Sequence, residues 1–308
     1  MPVRYWVLIL AIGTVWGGSF LFNAILIREL SPFWVSAGRI TVGALGCWVF
    51  FFATGRRLPK ALGLYAGLLL LGALNFAIPF ALFPFAEIHL PSGLVAVLNA
   101  LTPMTTVLVS QVWPGGERAG WNKYLGILVG FAGTAVLAGP SLGTGSALQL
   151  LAIGACLLAS VLYAIALNYA RRFNGVDPAT VASVSLTAAA ILTIPVALFA
   201  PCLGFGPQVC APDLPTITRP ETWAALLAIG LISTTLAFLL MYRILPKVGA
   251  TNFSINTFVT PVSGILLGTL LLGERFEGTQ LIGIAVIFAG LLLIDGRLFR
   301  RRSVAAAG

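Results

Sequence analysis

Two short stripes of neutral polar residues are the parts of this chain best suited to chemistry. Asn99, Thr102 and Thr106 surround Pro103, and Asn252, Asn256 and Thr260 precede Pro261, at spacings of three or four. On a helix that spacing gathers each set on one face, and each proline leaves the carbonyl four residues before it without its N–H partner. Amides, hydroxyls and freed carbonyls make a hydrogen-bonding surface for a small zwitterionic or neutral molecule. They do not make a nucleophile or a general base. The chain has no H-E-x-x-H, no G-x-S-x-G, no carboxylate pair within an apolar segment and no glycine-rich phosphate loop. Cys47, Cys156, Cys202 and Cys210 lack the spacing of a zinc site. An enzyme, a cofactor and a metal are therefore not expected.

A single polar residue per helix would serve as helix-to-helix glue, at about 0.6 to 2 kcal/mol per contact. Three per helix is more than glue needs and favours a wet cavity. Trp16, Asn75, Phe83, Tyr163, Phe238 and Tyr242 lie on other segments that would join it. Singly, each large aromatic reads as packing; together they read as an aromatic-lined pocket. Arg39 sits about 10 Å from the outer end of its apolar segment, at 1.5 Å per residue, and a charge at such depth is a functional candidate. For Arg39, and for Pro261, a structural or gating role is favoured over contact with a bound molecule.

The elements that position these residues must be helices in lipid. Of 308 residues, 59% are hydrophobic and 9% charged, with mean hydropathy +1.01, whereas a soluble domain carries about 25% charged residues. Ten stretches reach or approach the roughly 20 residues that cross about 30 Å of hydrocarbon: 5–27, 32–53, 62–85, 91–112, 122–139, 147–170, 177–199, 222–244, 250–272 and 279–295. The first is too long for a signal peptide and ends in no small-x-small site, so it reads as an anchor. The third and fourth divide at Glu87-Ile88-His89-Leu90-Pro91, where Glu87 and His89 read as a solvated helix end. All nine acids fall at span ends or in loops, so no proton-relay carboxylate is expected inside the membrane. Leu68 and Leu291 are expected to face lipid.

With the N-terminus cytoplasmic, inner segments hold Arg4, Arg56, Arg57, Lys60, Arg118, Lys123, Arg171, Arg172, Arg243, Lys247, Arg297, Arg300, Arg301 and Arg302, against Arg28, Arg219 and Arg275 outside. That asymmetry places both termini in the cytoplasm. The net charge of +9 thus reflects topology and anionic lipid rather than nucleic acid, whose binders gather basic residues on one face. Cys202 and Cys210 share the long outer loop, where a disulfide is permitted; Cys47 and Cys156 read as packing residues. The G-x-x-x-G pairs Gly13/Gly17, Gly63/Gly67, Gly126/Gly130 and Gly264/Gly268 permit close helix approach.

The chain also repeats itself. Gly116-Glu117-Arg118, Gly126 and Gly133 recur 157 residues later as Gly273-Glu274-Arg275, Gly283 and Gly290, and Thr102-Pro103 recurs 158 residues later as Thr260-Pro261. Five spans per half is an odd number, so the halves, 1–139 and 147–295, must insert with opposite orientation, followed by a basic cytoplasmic tail at 296–308. The expected fold is an all-α membrane protein of ten transmembrane helices as two inverted five-helix repeats. Inverted repeats let two similar halves exchange roles, which is the logic of secondary transport.

Ten spans in two halves, Trp16-Gly17-Gly18-Ser19-Phe20 in the first, Arg39 in the second and Gly-Glu-Arg after the fourth and ninth resemble the EamA family of the drug/metabolite transporter superfamily over nearly the whole chain. Size and aromatic content look most like its YddG-type exporters of aromatic amino acids. The resemblance implies export of a small-molecule substrate, amino acids and aromatic ones foremost, across the cytoplasmic (inner) membrane by alternating access. An intramembrane enzyme or a passive channel are the rival classes, and a channel would want a continuous polar lining. Oligomeric state is left open, with a monomer allowed.

Overall fold

The computed structural model describes residues 2–115, 119–144, 146–203, 215–248, 253 and 255–295. Among them there is no strand. The helical rods are α1 (Val3–Leu26), α2 (Pro32–Ala53), α3 (Leu62–Glu87), α4 (Ser92–Val112), α5 (Trp121–Thr144), α6 (Ala147–Ala170), α7 (Pro178–Phe199), α8 (Pro220–Leu227, continuing through Ala228–Leu236 and Ala237–Val248), α9 (Asn256–Leu272) and α10 (Gly278–Asp295). Eight of them are long and apolar enough to cross a membrane, and α9 is a shorter apolar helix. Leu62, Val112 and Leu270 are 84%, 84% and 76% exposed. Large apolar side chains this exposed suit a lipid surround, and the protein is a multi-pass membrane protein.

Local sequence sets the helix ends. Ser31 and Asp177 each precede a proline and cap the helix that follows: the Ser31 hydroxyl accepts from Trp34 N at 3.4 Å and the Asp177 carboxylate from Thr180 N at 3.0 Å. Proline is pre-set for a first helical position, and the capping oxygen satisfies an N–H the helix leaves unpaired. The carboxylate of Glu274 accepts from the backbone N–H groups of Ser92 and Gly93, at 2.6 and 3.0 Å. The second Gly-Glu-Arg thus ends α9 and caps α4 in one motif, with a negative charge at a helix N-terminus. Gly273 makes the turn, its φ of +69° being a conformation other residues rarely adopt. The first Gly-Glu-Arg, residues 116–118, lies outside the described residues, as do Cys210 and the tail 296–308. Cys202 is disulfide-bonded, and Cys47 and Cys156 are free and buried.

Glycines decide how the rods pack. A Cβ on Gly126 would lie 2.7 Å from Gly290 O, and one on Gly133 would lie 2.9 Å from Gly283 O. The pairing of 126 with 290 and 133 with 283 makes α5 and α10 antiparallel at backbone contact. Gly13 and Gly17 of α1 leave the same kind of room for Val259 and Thr260 of α9. α4 packs on α6, where the Thr105 hydroxyl donates to Ser160 O at 2.9 Å. α2 packs on α8 and on α7, the latter through Trp48 Nε1 donating to Thr187 Oγ1 at 2.8 Å, and α3 packs on α7.

Three expectations change here. Leu68 and Leu291 are 0% and 2% exposed, because they face helix neighbours rather than lipid; a uniformly apolar helix carries no mark of which side is which. Glu87 is not solvated: it is buried and accepts from Asn23 Nδ2 at 3.2 Å. At the same end of the bundle, segment 215–219 docks on Glu29, whose carboxylate is held down to about 2 by the hydroxyls of Thr218 and Thr222.

Candidate functional site

Two rods lose regular α geometry at matching places. α3 runs through a π segment at Ala73–Ala77 and α8 through one at Ala228–Leu236. In α8 the hydroxyls of Thr234 and Thr235 donate to the carbonyls five residues back, Ile229 O at 2.9 Å and Gly230 O at 3.2 Å. In α3, Ile78 N reaches Ala73 O at 3.2 Å, and Pro79 follows with no N–H to give. Wide turns of this kind gather at functional sites.

Asn75 lies in the α3 π segment, half-buried, and its side chain hydrogen-bonds no other described residue. The ring of its neighbour Phe76 touches Phe80 at 5.6 Å and Phe238 at 5.7 Å between centroids, and Phe238 touches Trp16 at 5.9 Å. Trp16 in turn meets Phe253 edge-on at 6.1 Å. A second chain of rings runs from Phe20 to Phe83 at 5.7 Å and on to Tyr163 at 5.9 Å. Tyr163 packs against the clusters that hold both chains. The Trp16 indole N–H and the Tyr163 hydroxyl are, like Asn75, half-buried and without a hydrogen-bonding partner among the described residues. Four rings singled out from sequence, Trp16, Phe83, Tyr163 and Phe238, therefore line one aromatic region with three free polar tips. Phe76 and Phe80 complete it and were not singled out, because in a run as apolar as 62–85 nothing distinguishes an inward ring from a lipid-facing one.

Arg39 closes one side. It is 7% exposed, donates from Nε to Thr234 Oγ1 at 3.2 Å and from Nη2 to Ser19 Oγ at 3.4 Å, and lies 3.7 Å over the Phe80 ring. It thereby ties α2 to α1, α3 and α8. Its Nη1 makes no hydrogen bond, and no described carboxylate stands within ion-pair distance.

The proline stripes behave differently from each other. At Pro103 the α4 rod breaks, Ser92–Asn99 and Thr102–Val112 being separate helices. The carbonyl that Pro103 cannot serve is that of Asn99, and the Thr102 hydroxyl serves it instead at 2.7 Å. Thr106 donates to Thr102 O at 2.7 Å. Asn99 stays half-buried with its Nδ2 unengaged. Pro261 sits buried within α9, and Asn256 and Thr260, 4% and 7% exposed, lie on the face that meets Gly13 and Gly17 of α1. That face is a close helix crossing rather than the wall of a wet cavity, and both side-chain polar atoms of Asn256 lack partners there. Asn252 lies outside the described residues, as does the side chain of Tyr242. No group of three or more His, Cys, Asp or Glu among the described residues could hold a metal.

An all-helical, lipid-embedded bundle around a partly polar aromatic region has the build of a membrane transporter. Residues 4–139 and again 150–295 match the EamA-like transporter family, and the chain belongs to that family. It is 26% identical, over 98% of its own length and 97% of the other's, to a protein of Streptantibioticus cattleyicolor named a probable terminal-alkyne amino-acid exporter. It is 25% identical, over 96% and 92%, to the uncharacterized inner membrane transporter YedA of Escherichia coli. A solved crystal structure shares its fold with a TM-score of 0.64 at 21% identity, covering 97% of this chain and 99% of that one.

Proposed function

We propose that this protein is a secondary transporter that exports small metabolites, amino acids and aromatic ones foremost, across the cytoplasmic membrane by alternating access. The observation that carries this reading is the aromatic region with three unpartnered polar tips, Trp16, Asn75 and Tyr163, beside a buried cation with spare donors. Rings on Phe83 and Phe238 suit an aromatic or apolar side chain, and Arg39 suits a carboxylate. The likeness to YddG-type exporters points the same way, as does the name of the Streptantibioticus relative. Asn99, Thr102 and Pro103 stand at the break in α4 as substrate contacts or a hinge; Asn252 and Tyr242 would belong to the same path, whereas Asn256 and Thr260 pack against α1.

The ten rods are read as ten spans in two inverted five-helix repeats, 1–139 and 147–295. Several contacts support this. Gly126 and Gly133 correspond to Gly283 and Gly290, yet 126 meets 290 and 133 meets 283, the isologous pattern that a two-fold axis produces. α1 packs on α9 as α6 packs on α4, and α2 packs on α8 as α7 packs on α3. Ser31-Pro32 matches Asp177-Pro178, and both third rods carry π segments. The asymmetry of basic loop residues supports a cytoplasmic position for both termini. A cysteine introduced at Lys60 is expected to escape an impermeant maleimide added to intact cells, while one at Thr216 is labelled; labelling of position 60 from outside sinks the topology.

Function is tested in proteoliposomes with radiolabelled phenylalanine, by saturation and by countertransport. Saturable countertransport is expected of a carrier; linear flux would indicate a channel. Asn75→Leu and Asn99→Leu are expected to insert normally and to weaken substrate affinity roughly 2- to 12-fold, the equivalent of one neutral hydrogen bond at about 0.5 to 1.5 kcal/mol. Leu270→Val, on the lipid face, is the matched control. Wild-type concentration dependence in both Asn variants would remove these residues from the site.

A further inference from the structure

Among the described acids, Glu87 departs from its expected surroundings, and its environment carries a second reading. It is 8% exposed and Asn23 is 2% exposed, and the two share a single hydrogen bond, Asn23 Nδ2 to Glu87 Oε1 at 3.2 Å. The remaining polar atoms, Glu87 Oε2 and Asn23 Oδ1, are buried with no partner. Both orphans are acceptors, and an ionised carboxylate offers no donor to join them. One proton on Oε2 supplies the missing donor, so that O–H to Oδ1 and N–H to Oε1 close a reciprocal acid–amide pair.

We propose that Asn23 and Glu87 form a one-proton site that fastens the neighbouring ends of α1 and α3, closed when Glu87 is protonated and released when it ionises. The surroundings favour the neutral acid. From α2 the nearest cation is Arg39, which is engaged with Ser19, Thr234 and the Phe80 ring. After α9 comes Glu274, a second negative charge already committed to the N-terminus of α4. From α6 come Cys156 and Tyr163, both neutral, and on its own chain segment His89 meets the Phe85 ring edge-on. No described cation lies within ion-pair distance of Glu87, and a buried carboxylate without one is strongly disfavoured.

The sign of the pH effect follows. Once the two ends part and water reaches it, Glu87 ionises as an ordinary water-exposed carboxylic acid does at neutral pH and gives its proton to that water. Opening therefore releases one proton, so at neutral pH the open-to-closed ratio rises tenfold per unit of pH increase and falls tenfold per unit of decrease. The proposal rests on the transport reading only in taking this end as the outer gate; the site itself can be tested without any transported solute.

The test uses the purified full-length protein at neutral pH. Its infrared difference spectrum against Glu87→Gln is expected to contain the carbonyl band of a protonated carboxyl group. Hydrogen exchange of residues 20–31 and 85–95, corrected for intrinsic rate, is expected to speed up about tenfold per pH unit in the wild type. In Glu87→Gln, whose amide keeps both hydrogen bonds, that slope is expected to vanish. Absence of the band in the wild type overturns the proposal, and so does an unchanged slope in Glu87→Gln. Asn23→Ala removes the amide partner and is expected to shift the band, so a wild-type-minus-Asn23→Ala difference spectrum with no protonated-carboxyl feature overturns the pairing even where Glu87→Gln fails to fold. A wild type that moves no solute would defeat the transport reading while leaving the infrared result to decide this one.

Discussion

Arg39→Met is expected to give a folded protein at least as heat-stable as the wild type while transport of carboxylate-bearing solutes falls roughly 10- to 150-fold. The factor is that of a hydrogen bond to a charged group, about 1.5 to 3 kcal/mol. Stability is expected to hold because Arg39 is a buried cation with no described carboxylate beside it, and replacing an uncompensated buried charge by an apolar side chain of similar volume removes a desolvation cost. Its partners also survive the change: the Thr234 hydroxyl still donates to Ile229 O, and only Ser19 loses its one side-chain bond. Arg39→Lys should recover part of the transport, since an ammonium restores the charge but cannot fork between Ser19 and Thr234 as a guanidinium does. The measurements are the melting temperature by intrinsic fluorescence and the initial rate of uptake into proteoliposomes. A lowered melting temperature, with uptake reduced only in proportion to folded protein, would make Arg39 a tie between helices and nothing more.

Gly290→Val is expected to cost the bundle its α5–α10 contact, and Gly126→Val to cost it equally. A Cβ at Gly290 would lie 2.7 Å from both Gly126 O and Gly130 N, and one at Gly126 would lie 2.7 Å from Gly290 O. These are backbone atoms, so no rotamer change relieves the overlap, and the helices must separate. Overpacking of this kind costs about 1 to 3 kcal/mol or more, and in lipid close packing is itself the main attraction between helices. Yield of monodisperse protein after detergent extraction is the readout. Gly154→Ala, at a helical glycine with nothing within 4 Å of an added Cβ, should be neutral or mildly stabilising. If Gly126→Val and Gly290→Val differ widely in yield, the two helices are not equivalent partners about an axis.

Much of the architecture was legible in the residues. Apolar runs long enough to span lipid give the rods; Ser31-Pro32, Asp177-Pro178 and the Gly-Glu-Arg turn give several of their ends; and glycines recurring at one offset mark both a duplication and the surfaces that pack. Trp16, Phe83, Tyr163 and Phe238 were legible as aromatic candidates, but nothing in the run 62–85 set Phe83 apart from Phe76 and Phe80. The α9 stripe was misleading for a physical reason. Asn256 and Thr260 have helical spacing whether they face water or the glycines of α1, and spacing reports which face they share, not what that face meets.

By itself, then, the sequence determined that this protein lives in lipid, where its apolar segments fall and which residues recur at a fixed offset, because these depend on composition and on intervals along the chain. Tertiary structure alone decided which side of each uniformly apolar helix faces inward, that Phe76 and Phe80 join the ring chain, that Arg39 bridges α1, α3 and α8, and that Glu87 is buried on Asn23 rather than solvated. Those facts turn on the rotation of one helix against another. In lipid that rotation is set by the fit of side chains and the pairing of a few polar groups across helices, and neither partner of such a contact announces the other from its place in the chain.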